Sequence, residues 1–312
     1  MSPTALHPFG DVFGPEAVTR ESEEFNLRAA RMMRDRASIW DEGIAGARAS
    51  GFMPSMPRSP RSIDRNIDGV AVHIVPADLP RGVYLHFHGG GMILGSASAQ
   101  DPMLERISRE AQVTCVSVEY RLAPEHPFPA AWDDCEAIAL WLTRKAKAEF
   151  GTDALLIGGE SAGAMLAAAT LTRMRDRHHY SGFRGANLSF GVYDHSMTPS
   201  QRNATSGVLK AADIERITAA YCPDPQQVRH PEISSLFADL HDLPPALFTV
   251  GTLDAFLDDS MFMYCRWLSS GNRAEIAIWA GADHAFIETP HPLAGPANTR
   301  IDAFLRDSLK SE

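Results

Sequence analysis

Short apolar runs alternate with helix-like windows from residue 70 towards the end of the chain. Several runs are apolar on both faces, which is typical of parallel strands that are covered on both sides. The runs are residues 70–75, 83–87, 113–118, 154–157, 188–192, 246–250 and 276–279. The windows between them are residues 102–111, 130–148, 162–174, 258–269 and 296–309. This alternation predicts an α/β fold, with a mostly parallel central sheet and helices on both faces.

Two segments depart from this rhythm. Residues 15–50 have mixed three- and four-residue apolar spacing between charged residues, which indicates helix. Residues 51–60, with prolines at 54, 57 and 60, then break the pattern and predict a linker. Residues 197–232 form a polar, helix-prone insert between two of the predicted strands.

The charge pattern argues against two classes of partner. The formal net charge is −10, and the 29 basic residues are scattered without a long basic run. Nucleic acid and anionic membrane surfaces both need a concentrated positive face. No stretch approaches the roughly 18 consecutive apolar residues of a membrane helix. We therefore expect no nucleic-acid partner and no membrane span.

The four cysteines are far apart in sequence and form no CxxC motif. We expect Cys115, Cys135, Cys222 and Cys265 to be mostly buried thiols in a reducing compartment. The first eleven residues lack a basic region followed by an apolar run, which argues against a secretory signal. The expected location is cytoplasmic.

The sequence GESAG at residues 159–163 is a G-x-S-x-G motif. The motif alone is a weak signal, but it follows a strand-like run and opens a helix-like window. A sharp strand-to-helix turn would project the Ser161 hydroxyl into a cleft as a nucleophile. The alternative is a serine that caps the helix N-terminus after a glycine turn.

The sequence HGGG at residues 88–91 also follows a predicted strand. Consecutive glycines allow backbone N–H groups to face a ligand, and such donors stabilise an oxyanion. The alternative is a plain flexible turn. A metal pair at His86 and His88 is not expected, because no further ligand cluster follows them.

A serine nucleophile needs a base and an acid that orients the base. His284 follows the last predicted strand and is the candidate base. Asp254 follows the strand at 246–250 and is the candidate acid. Asp258 and Asp259 are rivals, but they fall where a helix begins and an acidic residue stabilises the helix dipole. The order serine, aspartate, histidine is that of the α/β-hydrolases.

The sequence YRLAPEHPFPAA at residues 120–131 adds a long and specific motif. Together with the motifs around His88, Ser161, Asp254 and His284, it resembles the hormone-sensitive-lipase family of bacterial esterases over residues 70–309. The resemblance implies an α/β-hydrolase core formed by residues 51–196 and 233–312. It also implies a helical cap made of residues 1–50 and 197–232.

The resemblance further implies a serine carboxylesterase that hydrolyses short- to medium-chain esters through an acyl-enzyme. In this reading the backbone N–H groups of Gly89, Gly90 and Ala162 form the oxyanion hole, and no cofactor or metal is needed. Four positions depart from the usual family residues: Glu119 before the motif at residues 120–131, Glu160 before the serine, Met92 after the glycines and Phe256 after the acid.

Several assignments stay open at this level. Met33, Met92 and Phe256 are candidates for an adaptable substrate pocket, although ordinary core packing also explains methionines. An amidase or formamidase would share the site chemistry, a non-catalytic small-molecule binding protein could share the fold, and an interfacial lipase would need a more apolar lid. A homodimer through the strand at residues 274–279 is also expected from the resemblance.

Overall fold

The computed structural model of the chain describes residues 10–34, 39–50 and 56–310. Within these ranges the strands are β1 (Ile63–Ile67), β2 (Val70–Val75), β3 (Gly82–Phe87), β4 (Val113–Val118), β5 (Leu155–Glu160), β6 (Phe183–Ser189), β7 (Ala246–Gly251) and β8 (Ala274–Trp279). They form one sheet in the order β1-β2-β4-β3-β5-β6-β7-β8. In this order, every pair of neighbours from β4 through β3 to β8 is parallel. The pairs β1–β2 and β2–β4 are antiparallel. The predicted mostly parallel sheet is confirmed.

The α-helices in the same ranges are α1 (Arg20–Arg34), α2 (Gly43–Ala49), α3 (Asp101–Ala111), α4 (Ala130–Phe150), α5 (Ala162–His178), α6 (Pro199–Arg202), α7 (Ala211–Tyr221), α8 (Leu257–Ser269) and α9 (Ala294–Asp307). Buried side chains of α4, α5 and α8 contribute to one apolar cluster, and those of α3 and α9 contribute to a second. The two clusters lie against opposite faces of the sheet. The prediction of helices on both faces is therefore confirmed.

Six of the seven predicted apolar runs lie in strands. For the run at residues 188–192 the strand prediction is wrong at residues 190–192, which lie beyond the end of β6. β6 begins earlier, at Phe183, and ends at Ser189. Phe190 has a φ of 39°, so the backbone leaves the extended region at that residue. The apolar pattern does not predict the start of β6, because Arg184 and Gly185 interrupt it.

β1 is a strand that the apolar pattern did not predict. Its sequence IDRNI is mostly polar, and only Ile67 is buried. β1 lies at one edge of the sheet and pairs with β2 alone. An edge strand with an exposed face needs few apolar residues, which explains the weak signal.

Residues 10–34, residues 39–50 and the insert at residues 197–232 contact the loops that follow the carboxyl ends of the strands. The indole nitrogen of Trp40 donates to Asp213 at 2.7 Å and joins the two segments. Ile217 of α7 lies directly against Gly91. The division into a core and a two-part cap stays a prediction.

Two expectations about the chain as a whole concern cysteines and membranes. All four cysteines are free thiols; Cys115, Cys135 and Cys222 are buried and Cys265 is exposed, as predicted. Among the helices of the described ranges, none is long and apolar enough to cross a membrane.

Candidate active site

Ser161 lies on a strained turn between β5 and α5. Its φ of 57° and ψ of −119° are unusual for a residue with a side chain, and such strain is typical of functional positions. Glycines on either side allow the tight turn. A Cβ at Gly159 or at Gly163 would collide with the carbonyl oxygen of Phe87 at the end of β3. The sequence pattern around Ser161 therefore follows from close packing between α5, β3 and β5.

Ser161, His284 and Asp254 meet at the carboxyl ends of the strands. The Nε2 atom of His284 lies 3.0 Å from Oγ of Ser161. On the other side of the ring, Nδ1 lies 3.0 Å from both carboxylate oxygens of Asp254. Asp254 is itself held by the backbone N–H of Phe256, which donates to Oδ1 at 2.8 Å. The structure thus brings together the three residues that the sequence singled out.

Electrostatics around His284 favour its protonated form. Burial lowers the pKa of His284, but the charge and hydrogen bond of Asp254 and the charges of Asp283 and Glu288 outweigh burial, so the pKa lies above its usual value of 6.5. The rings of Phe190 and Phe256 pack edge-on against the imidazole at 5.0 and 5.2 Å between centroids. An imidazolium formed during proton transfer would therefore be stabilised, while the ring stays fixed between two aromatic side chains.

The glycine loop after β3 lies beside Ser161. Gly90 and Gly91 have φ values of 113° and 63°, which side chains rarely adopt. A Cβ on Gly89 would lie 3.6 Å from Cβ of Ser161. Ala162 begins α5, where the first N–H groups of a helix have no partner within the helix. Gly89 and Ala162 thus lie next to Ser161, and the role of Gly89, Gly90 and Ala162 as an oxyanion hole stays a prediction.

His88 fixes the glycine loop rather than facing Ser161. Its ring stacks on Tyr120 at 4.1 Å, and its Nδ1 lies 2.7 Å from the carbonyl oxygen of Gly89. The hydroxyl of Tyr120 donates to the carbonyl oxygen of His88 at 2.7 Å. Burial lowers the pKa of His88 to about 3, so the ring is neutral at ordinary pH. The long motif at residues 120–131 therefore begins with the residue that holds this loop.

Arg48 is a residue that sequence reasoning missed. Its guanidinium donates to the carbonyl oxygens of Ile93 and Ala123 and pairs with Glu125 at 2.8 Å. These contacts connect α2 to the glycine loop and to the motif at residues 120–131. Nothing local to Arg48 in the sequence distinguishes it from the other arginines, because all three partners lie at least 45 residues away.

A series of hydrogen bonds between buried polar side chains lies beneath the serine turn. Glu160 Oε2 lies 2.8 Å from Nε2 of His86, and Nδ1 of His86 lies 2.8 Å from Oγ of Ser117. All three side chains are buried. The unusual Glu160 thus reaches across to β3 and stabilises the pairing of the strands below Ser161.

The rival acids Asp258 and Asp259 have structural partners. Asp259 Oδ1 accepts the backbone N–H groups of Tyr193 and Asp194 at 2.7 and 2.9 Å, and Oδ2 accepts the side chains of Thr198 and Gln201. Burial raises the pKa of Asp259 to about 6 despite these donors. Asp258 accepts the backbone N–H of Ser200 at 2.8 Å. Both carboxylates hold the start of the insert rather than His284.

The three predicted pocket residues have different surroundings. Met92 is buried with a φ of 65°, and Phe256 is buried against His284. The side chain of Met33 lies outside the described part of the structure. Their assignment to a substrate pocket stays a prediction.

Within residues 10–34, 39–50 and 56–310, no cluster of three histidine, cysteine or acidic side chains is arranged to hold a metal ion. A cavity of about 1190 Å³ is lined by Phe183, Ala246 and Ala274, which begin β6, β7 and β8. It therefore lies at the opposite end of the strands from Ser161.

Comparisons with known proteins agree with this geometry. Residues 84–288 match a family model described as alpha/beta hydrolase fold. The chain is similar to the esterase LipI of Mycobacterium tuberculosis, with 31% identity over 252 residues that cover 72% of this chain and 75% of LipI. It is also similar to the carboxylic ester hydrolase LipN of the same organism, with 30% identity over 210 residues. That alignment covers 64% of this chain and 56% of LipN, so the chain spans only about half the length of this relative.

A solved structure extends the likeness over nearly the whole fold. The crystal structure of a hormone-sensitive lipase from a metagenome library superimposes with a TM-score of 0.81 at 26% identity, covering 93% of this chain and 98% of that one. The chain belongs to the alpha/beta hydrolase family. Within it, the chain is a member of the hormone-sensitive-lipase group of esterases, as the motifs predicted.

Proposed function

We propose that this protein hydrolyses carboxylic esters of short to medium acyl chains through a covalent acyl-enzyme on Ser161. The observation that carries the proposal is the position of the His284 ring, which lies 3.0 Å from the Ser161 hydroxyl on one side and 3.0 Å from the Asp254 carboxylate on the other. A nucleophile, a base and an orienting acid in this arrangement are suited to acyl transfer.

In the first half of the reaction, Oγ of Ser161 attacks the ester carbonyl carbon while its proton passes to Nε2 of His284. Asp254 accepts a hydrogen bond from Nδ1–H of His284, which fixes the tautomer of His284 and stabilises the imidazolium. The tetrahedral intermediate then collapses, the bond to the alcohol breaks, and His284 returns the proton to the leaving oxygen. The acyl group stays on Ser161.

In the second half, His284 takes a proton from water, and the resulting hydroxide equivalent attacks the acyl-enzyme carbonyl. The bond to Ser161 breaks, the serine recovers its proton, and the carboxylic acid leaves. The N–H groups of Gly89, Gly90 and Ala162 would stabilise the oxyanion in both halves. Loss of one such donor typically raises the barrier by about 3–4 kcal/mol.

Residues 1–50 and 197–232 would form the cap that selects the substrate. Three contacts support this role: Ile217 lies against Gly91, Trp40 bonds to Asp213, and Val208 bonds to Asp283 beside His284. The insert also carries several charged residues, including Arg202, Lys210 and Glu215. A charged cap suits dissolved esters better than the surface of a lipid droplet, which would favour a broad apolar face.

The test is hydrolysis of p-nitrophenyl esters from acetate to palmitate by the wild type and by Ser161→Ala. A matched control is Ser269→Ala, which removes an exposed hydroxyl at the end of α8. We expect activity that is highest for short or medium chains, is lost in Ser161→Ala and is retained in Ser269→Ala. Equal activity in wild type and Ser161→Ala would overturn the proposal.

Parallel assays with the matched anilides separate esterase from amidase activity. The proposal predicts a clear preference for the ester of each acyl group. A Ser161-dependent preference for the anilide would reassign the enzyme as an amidase and leave the three-residue site in place.

We also propose that two copies pair through β8, as the resemblance implies. β8 is the last strand of the sheet, and its side chains Ile276, Ile278 and Trp279 are only partly buried. An open strand edge with apolar side chains is a template for pairing. Light scattering should give twice the chain mass of 34.1 kDa, and a species of 34.1 kDa alone would contradict a dimer. The cytoplasmic location stays a prediction.

A further inference from the structure

Asp283, the residue before His284, connects two segments that are far apart in sequence. Its Oδ1 atom accepts the backbone N–H of His284 at 2.7 Å. Its Oδ2 atom accepts the backbone N–H of Val208 at 3.2 Å, 75 residues away in the insert. One carboxylate therefore holds the backbone of the histidine loop and the backbone of the insert at the same time.

Gly207 makes this approach possible. Its φ is +91°, a conformation that favours glycine, and a Cβ on this residue would lie 2.6 Å from Oδ2 of Asp283. A side chain at residue 207 would force either the insert backbone or the Asp283 carboxylate to move, and either movement would disturb the bond between them. The contact thus depends on a specific backbone fit.

The histidine loop is held from a second side by the N-terminal segment. The side-chain amide of Asn26 donates to the carbonyl oxygen of Gly281 at 2.7 Å, and Val18 packs over the same glycine. From the sheet side, the N–H of Gly281 donates to Oγ1 of Thr252 at 2.9 Å. The loop that carries His284 is therefore in contact with both segments that cover the strand ends.

Asp283 also acts on His284 through its charge. The charged groups that raise the pKa of His284 are Asp254, Asp283 and Glu288. The Nε2 atom of His284 faces the hydroxyl of Ser161 at 3.0 Å. Burial and the charge of Asp254 raise the pKa of Asp283 itself, while the N–H donors of His284 and Val208 lower it. A carboxylate at residue 283 favours the imidazolium.

We propose that Asp283 is a positioning residue through which the insert holds the loop of His284 in line with Ser161. This inference rests on the proposed function, in which His284 is the general base. It predicts that kcat depends on the contact between Asp283 and the insert. KM should change little, because Asp283 bonds to backbone groups of the protein and not to the acyl chain.

Asp283→Asn tests the charge and the bonds together. Asparagine offers one acceptor oxygen instead of two, so one of the two backbone bonds is lost along with the charge. We expect kcat to fall about tenfold with KM within about twofold of the wild type, since small displacements of a base are costly. The acid limb of the kcat profile should move to lower pH, because removal of a nearby negative charge lowers the pKa of His284.

Gly207→Ala tests the same contact from the insert. The matched control is Gly271→Ala, which has a similar φ of +88° but no atom within 4 Å of the added Cβ. Gly207→Ala should lower kcat, whereas Gly271→Ala should not. The double variant Asp283→Asn/Gly207→Ala should be little worse than Asp283→Asn alone, because both changes break one contact.

Labelling of Ser161 by a fluorophosphonate separates this inference from the proposed function. A wild type that is neither labelled at Ser161 nor active on esters would remove both. A labelled, active wild type with an unchanged kcat in Asp283→Asn would overturn the positioning role alone. Thermal unfolding sets an assay temperature below each transition, and an unchanged kcat in either folded variant is sufficient to reject the role.

Discussion

The turn that carries Ser161 and the two segments that lie over it are held by different kinds of contact. The turn packs backbone against backbone: α5 approaches β3 so closely at Gly163 that no side chain fits. The covering segments are attached through side chains, by apolar contacts such as that of Ile217 with Gly91 and by separated polar bonds, such as those of Arg48 to Ile93 and of Asn26 to Gly281. Close packing tolerates no added atom, whereas single bonds can be lost one at a time. We infer that the turn fixes the nucleophile, and that the covering segments, apart from the bond of the insert to Asp283, adjust which substrate reaches it.

The largest effect should follow from changes in the three residues that meet at the turn. Asp254→Asn leaves the shape of the site but favours the wrong tautomer of His284. We expect kcat to fall about 10⁴-fold, with the unfolding temperature little changed. Asp258→Asn is the control, since that carboxylate bonds to Ser200 and not to His284. Similar activity losses in both variants would contradict the assignment of the acid.

Added volume at the turn should be the next largest effect. In Gly163→Ala the new methyl group would collide with the carbonyl oxygen of Phe87, so α5 must shift away from β3. Overpacking of this kind costs about 1–3 kcal/mol of unfolding free energy and displaces Ser161 from the glycine loop. Urea unfolding measures the cost, and Gly295→Ala, where no atom lies within 4 Å, is the control. A Gly163→Ala protein as stable and active as the wild type would refute the close-packing argument.

The pH dependence of turnover tests the electrostatics of the site. The base must be neutral to accept the serine proton, and the pKa of His284 is raised above 6.5 because Asp254 and its neighbours outweigh burial. Below that raised pKa, kcat/KM should fall about tenfold for each pH unit, and above it the activity should level off. An acid limb that lies below pH 6.5 would contradict the raised pKa.

Loosening the covering segments should give a smaller and different effect. Arg48→Met keeps much of the aliphatic stem but removes the bonds to Ile93, Ala123 and Glu125. We expect KM for a medium-chain ester to rise severalfold, with kcat changed less, because α2 is no longer fixed to the glycine loop. A loss of kcat as large as that in Asp254→Asn would mean that the covering segments are part of the chemistry.

The smallest effect is expected at the outer surface of the same segment. Arg20 pairs with Glu24 at 2.9 Å on α1, but the Arg20 side chain is 88% exposed. Exposed ion pairs contribute about 0–1 kcal/mol or nothing measurable. Arg20→Met should therefore match the wild type in activity and unfolding, and it also serves as the arginine control for Arg48→Met.

The same contrast explains what the sequence could and could not predict. The strands, the Ser161 turn and the candidate acid and base follow from local patterns, because apolar runs, glycine spacing and strand ends are visible in neighbouring residues. The polar edge strand β1 and the early start of β6 lack such a pattern. Arg48 and Asp283 bind partners far away in the chain, so no local spacing reveals them.

The most direct test of the central claim is fluorophosphonate labelling followed by peptide mapping. The probe loses fluoride as it forms a bond to an activated serine oxygen. The account predicts one adduct per chain, on the peptide that contains Ser161, with labelling lost in Ser161→Ala and strongly slowed in His284→Ala. An adduct on another residue, or equal labelling of the wild type and Ser161→Ala, would contradict it.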